Sequence, residues 1–177
     1  MERERKRADW VFFFLFSFSF LFFFSFFFLF TPLNPSQGVL RIGESRELTK
    51  TFTSTELQQF GEISQDFNPL HFDAEFAKTT RFKRPILHGH LVTALFSGLL
   101  GGHLPGKGSV YLSQTFQYVA PVHVGEAVIA RVQVQEIFHS RAIVTMETTI
   151  RKEDGTVCVK GEAKVMVPRE YLPAKEN

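Results

Sequence analysis

The sequence predicts an α+β domain in which an antiparallel sheet wraps around one buried helix. Three observations carry that prediction. The stretch GHLVTALFSGLLGG, residues 89–102, is apolar all round, as a helix without a solvent face must be. From Ser109 onward the apolar period falls to two, the period of half-buried strands. Asp154-Gly155 joins the last two such runs as a hairpin turn would. One apolar helix followed by amphipathic antiparallel strands buries both only if the sheet folds over the helix.

Along the chain, residues 1–37 stand apart from the rest. Of 22 phenylalanines, 13 fall between Phe12 and Phe30, in WVFFFLFSFSFLFFFSFFFLF. About 20 uncharged residues are enough to span a bilayer as a helix, and Arg3, Arg5, Lys6 and Arg7 precede them. A membrane anchor through residues 10–30 is the plain reading. A cleaved secretory signal would need a shorter apolar core, and a mitochondrial presequence would lack Glu2, Glu4 and Asp9. Phe, Ser and Leu also share pyrimidine-rich codons, so translated sequence upstream of the natural start would look the same. These readings stay open. Pro32, Pro35 and Gly38 mark a linker, after which residues 38–170 read as one domain and 171–177 as a tail.

Within the domain, STELQQFGEISQ opens with Ser54 and Thr55 as candidate caps and repeats Leu57, Phe60 and Ile63 at helical spacing. This helix ends before Asn68-Pro69, and DAEFAKTT adds a further helical turn or two. In EAVIARVQVQEIF, Val128, Ala130, Val132 and Val134 share one face; in RAIVTMETTI, Ala142, Val144, Met146 and Ile150 do. The last run, TVCVKGEAKVMVP, sets Val157, Val159, Ala163, Val165 and Val167 opposite Lys160, Glu162 and Lys164.

Composition excludes several function classes. A net charge of +2 gives no general attraction for nucleic acid. The single cysteine, Cys158, excludes an intrachain disulfide and a multi-cysteine zinc site.

The chemistry concentrates in SQDFNPLHFD, Ser64 to Asp73. Asp66 and His71 stand five apart with Asn-Pro between them. One account is local, with Asp66 closing an Asx-type turn where Pro69 stops the helix. The other comes from context. With the later R-P-I-L-H-G, residues 84–89, the segment resembles the MaoC-like (R)-specific enoyl-CoA hydratases, over roughly residues 42–168. Mitochondrial 3-hydroxyacyl-thioester dehydratases share the same pattern. The resemblance implies a hot-dog fold, a homodimer and reversible hydration of a trans-2-enoyl thioester to the (R)-3-hydroxyacyl thioester, carried on CoA or acyl carrier protein. It places the catalytic pair on Asp66 and His71, the oxyanion-binding N–H on Gly89, and acyl-pocket positions on Ser97 and Leu100. Gln65 departs from it, since many members have glycine there.

Water addition explains these residue types. One group must take a proton from the attacking water and a proton must reach C2, work that an Asp and a His on one water can do. A regular helix turns residues i and i+5 apart, so the break between them has a purpose. Negative charge on the thioester oxygen needs a waiting donor, and Gly89, at a helix start, offers a free N–H without a side chain in the way.

Other residues admit two readings each. Arg81, Lys83 and Arg84 are either a solvated face or a contact for the phosphates of CoA or a carrier protein. His88-Gly89-His90 places no third ligand, so no metal is expected, and no cofactor beyond the substrate's own CoA or phosphopantetheine. His103, His123 and His139 read as surface or turn residues, and LPGKGS as a turn rather than a phosphate loop. Rival functions on the same fold are an acyl thioesterase and a non-catalytic thioester-binding or assembly protein. The resemblance implies mitochondrial fatty-acid synthesis as the setting, and the terminal AKEN, unlike a peroxisomal signal, weakens the peroxisomal alternative.

Overall fold

The structure, a computed structural model, describes residues 38–174; the Phe-rich run lies outside the described residues. Strand β1 (Ser45–Thr51) is followed by helices α1 (Ser54–Ser64), α2 (Pro69–Phe72), α3 (Ala74–Thr79), α4 (Gly89–Thr93) and α5 (Leu95–Gly102). Strands β2 (Val110–Tyr118), β3 (Ala127–Phe138), β4 (Ile143–Lys152) and β5 (Val157–Met166) complete a five-stranded sheet in the order β1-β3-β4-β5-β2. Every pairing is antiparallel, and α5 packs on β1, β2 and β3. This is the predicted α+β arrangement, a hot-dog fold.

Alternation builds the core. Val128, Ala130, Val132 and Val134 of β3 and Val144, Met146 and Ile150 of β4 are buried against Phe96, Leu99 and Leu100 of α5. Each large side chain among them contributes about 1.5–3 kcal/mol by leaving water. Thr148, also on the core face of β4, is fully buried because Gln114 Nε2 donates to its hydroxyl at 2.8 Å. On β5 the expected face holds from Val159 to Val167 and fails only at Val157. A register irregularity opposite Ile150/Arg151 buries Cys158 and leaves Val157 exposed.

Three further details differ from the sequence reading. Thr53, not Ser54 or Thr55, caps α1, in a capping box with Glu56. Ile63 is 81% exposed although it was expected beside Leu57. At 3.6 residues per turn, steps of three drift backward, so Ile63 lies about 120° from Leu57, and Gly61 takes the buried position instead. The expected single helix 89–102 is split at Ala94 into α4 and α5 and is not buried all round. Ala94, Ser97, Gly98 and Gly101 form an exposed stripe, which such small residues can leave in water at little cost. Strand β1 carried no readable alternation, since Leu48 is its one apolar side chain.

Candidate active site

Helix α1 ends at Gln65, whose φ of 58° turns the chain left-handed. That conformation favours glycine; here the Gln65 side chain helps by donating to the Glu62 carbonyl at 2.6 Å. Three residues on, Asn68 caps α2 by accepting the Leu70 N–H, with Pro69 in the first turn, where its missing N–H is not needed. The chain thus stops one helix, turns, and starts another within five residues. Asp66 stands in the turn and His71 on the new helix.

The turn uses only part of Asp66. Its Oδ1 accepts the Asn68 N–H at 3.1 Å, the local contact expected of an Asx turn. Its Oδ2 lies 3.8 Å from His71 Nε2 and 3.7 Å from His88 Nε2. The turn contact and the approach to the two histidines fall on different oxygens of one carboxylate. The Asp66 side chain is 49% exposed, whereas His71 is buried. His71 Nδ1 sits 2.8 Å from the Ile86 carbonyl oxygen. A carbonyl only accepts, so Nδ1 carries the proton and the Nε2 lone pair faces Asp66.

His71 and Gly89 both line a cavity of about 540 Å³, together with Arg81, Val92, Tyr118 and Val122. Gly89 begins α4, whose start has no side-chain cap. A Cβ at Gly89 would come within 2.6 Å of the Tyr118 ring, so close packing favours glycine here. Tyr118 OH is held by His90 Nδ1 at 2.8 Å.

The other expected site residues are dispersed. Arg81 reaches the cavity wall. Lys83 is exposed at a φ of 63°, and Arg84 pairs with Glu126. Neither lines the cavity. Nor do Ser97, which is exposed, and Leu100, which is buried in the core; α-helical position three apart does not give them a shared environment. His123, expected at the surface, is buried, with Nδ1 on the Pro85 carbonyl at 2.7 Å. The sequence presents His88 only as half of a weak metal pair with His90. Instead it is buried beside Asp66 and His71, and its pKa is pushed down by that burial. The signal for it was the fixed position of His88 before Gly89 in the second motif.

Asp66, His71 and His88 bring one ligand atom each within 4.8 Å of one another, close enough for a metal ion. His88 Nε2, however, is committed as a donor to the Asp66 carbonyl at 2.9 Å, so in this arrangement it has no lone pair to give a metal. The trio is better suited to proton transfer, with two acceptors facing each other and one fixed donor.

Comparison with known proteins agrees with this geometry. Residues 39–156 match the family model described as MaoC like domain. The chain is 47% identical over 129 residues to the (R)-specific enoyl-CoA hydratase of Aeromonas caviae, 73% of this chain and 96% of that protein. The solved A. caviae (R)-hydratase superposes with a TM-score of 0.70, covering 73% of this chain and 98% of that one. To the mitochondrial 3-hydroxyacyl-[acyl-carrier-protein] dehydratase FERN of Solanum lycopersicum it is 35% identical over 141 residues, 78% of this chain and 84% of that protein. With the hot-dog sheet, the broken-helix Asp and His, and these relatives spanned nearly end to end, the chain belongs to the MaoC-like dehydratase family.

Proposed function

We propose that Asp66, His71 and Gly89 carry out the reversible hydration of a trans-2-enoyl thioester to the (R)-3-hydroxyacyl thioester, a hydro-lyase reaction. The observation that carries this reading is the 3.8 Å gap between Asp66 Oδ2 and His71 Nε2. It is too wide for a direct hydrogen bond, yet one water at about 2.8 Å from each acceptor bridges it. Both groups accept, so they pull on both protons of that water and leave its oxygen lone pair aimed outward at C3. In hydration the water oxygen bonds to C3, the pair takes up a proton, and a proton passes from the pair to C2 on the same face. Dehydration runs the same steps backward, so the two residues exchange acid and base roles. As C3 is attacked, charge moves to the thioester oxygen, where the Gly89 N–H stabilises it in the drier cavity.

The test is direct. The purified full chain incubated with crotonyl-CoA should remove the enoyl absorbance without releasing free thiol. Thiol release would instead mark a thioesterase, and no change with tight ligand binding a non-catalytic binding protein.

Arg81, at the cavity wall, is positioned to meet a phosphate of CoA or of a carrier protein's phosphopantetheine, with Lys83 nearby in sequence. Residues 38–170 suffice for this activity by themselves. The tomato relative's mitochondrial name supports fatty-acid synthesis in that compartment as the setting. A homodimer fits the apolar character of β2, a sheet edge where Val110, Tyr111 and Leu112 are 48%, 39% and 47% exposed.

A further inference from the structure

His88 is 3% exposed and contacts both members of the reacting pair. The His71 ring stacks on it, with centroids 3.8 Å apart and planes 30° apart. Phe60 of α1 and Phe72 of α2 pack at 5.1 and 5.7 Å. Its Nε2–H donates to the backbone carbonyl of Asp66 at 2.9 Å, and its Nδ1 is buried with no hydrogen-bond partner.

We propose that His88 is a positioning residue for water addition, clamping the Asp66 carbonyl with one edge and supporting the face of His71 with its ring. This rests on the reading of Asp66 and His71 as the acid–base pair. Those two residues sit on separate short segments, a turn and a single helical turn, and neither segment by itself sets the gap between them. His88 arrives from a third segment and touches both, so the spacing that holds one water is referred to a single buried ring.

The unpartnered Nδ1 explains why a histidine does this. A carbonyl only accepts, so Nε2 bears the proton and Nδ1 a lone pair. Protonation would place a new N–H where nothing accepts it and a charge among phenyl rings, both unfavourable. Among the described residues, the titratable groups facing His88 are Asp66 and His71, and the Phe60 and Phe72 rings pack on it as well. Burial, the larger influence on its pKa, holds the ring neutral. A neutral ring keeps a second positive charge away from His71 while His71 takes up and returns a proton. Its donor to Asp66 is present throughout the cycle.

The substitutions separate clamp from filler. His88→Phe keeps a ring under His71 and loses the donor; His88→Gln returns an N–H near the Nε2 position. His88→Phe should lower kcat about 10²-fold, the scale of an ångström of misplacement, with KM changed far less, and His88→Gln should recover at least about a tenth of wild-type kcat. A His88→Phe enzyme that melts lower but keeps about a third or more of its kcat would reduce His88 to packing. If both variants fail to fold, nitrogen-15 NMR of the wild-type imidazoles decides. At neutral pH His88 should show a neutral Nε2–H ring, and its titration should lie below that of a free imidazole. A proton on Nδ1 at neutral pH, or titration at or above the free-imidazole value, overturns the proposal. The NMR result needs no turnover, so it stands apart from the crotonyl-CoA assay that tests the reaction itself.

Discussion

Asp66 divides its labour between two oxygens, and that division makes a clean experiment. Asp66→Asn retains a carbonyl oxygen to accept the Asn68 N–H at the turn but loses the carboxylate facing His71. The variant should melt near wild type while kcat falls roughly 10²–10⁴-fold, the range for a positioned acid or base. His71→Gln should lose a similar factor, and the double variant should be little worse than the poorer single one, since either loss releases the same water. A large drop in melting temperature with normal turnover per folded molecule would mark a turn residue only. His88 adds a pH dependence. Its folded pKa is depressed while the unfolded one stays near 6.5, so below about pH 6.5 the unfolded state binds the extra proton and stability falls as pH drops toward the folded value. Above about 6.5 both states are neutral and the contribution is constant. Melting temperatures measured from neutral to acid pH should therefore fall more steeply for wild type than for His88→Phe.

Among the elements, close approach of backbones decides more than propensity does. On β5, Gly161 faces β2 so tightly that a Cβ would lie 1.9 Å from the Thr115 carbonyl oxygen. A backbone oxygen in a sheet cannot step aside as a side chain can, so Gly161→Ala should destabilise by about 3 kcal/mol or more, above the usual range for overpacking. Denaturant unfolding measures this, and a loss below about 1 kcal/mol would mean the strands part easily. At the end of α1 the opposite change helps. Gln65→Gly relieves a left-handed non-glycine residue worth about 1–2 kcal/mol, less what the Gln65–Glu62 bond contributes, and should raise the melting temperature. On α5, Leu100→Ala should cost about 2–5 kcal/mol as a core truncation. Because Leu100 does not line the cavity, the profile of activity against acyl chain length should hold its shape.

For the whole molecule, the sheet ends on one side at β2, whose unpaired backbone edge and exposed apolar side chains form a surface another strand can join. A second copy meeting it there would cover both edges at once, by two-fold symmetry. Light scattering should give twice the chain mass for the fragment of residues 37–177, and Leu112→Lys should shift it toward monomer by placing charge in the contact. A wild-type fragment that is monomeric and fully active would remove the dimer from the reading. That fragment also tests the domain boundary, since it should be soluble and as active as the full chain. Arg81→Ala should raise KM for a CoA thioester with kcat little changed, an effect that shrinks as salt screens the phosphates.

The sequence by itself determined the class of fold, because alternation at Val128 to Val134 and the apolar helix each have one way to leave water. It also determined that Asp66 and His71 flank a broken helix and that Gly89 opens another, because Asn-Pro and a glycine at a helix start are local events written in adjacent residues. Tertiary structure decided the rest. Ser97 and Leu100 share a helix but not an environment, since which side of α5 the sheet covers depends on strands far along the chain. Val157 turned outward through a one-residue register irregularity that alternation cannot foretell. His88 joined Asp66 and His71 only when a segment 22 residues beyond Asp66 folded back to stack its ring on His71 and bond the Asp66 carbonyl, and a contact across that distance leaves no periodicity in the sequence to read.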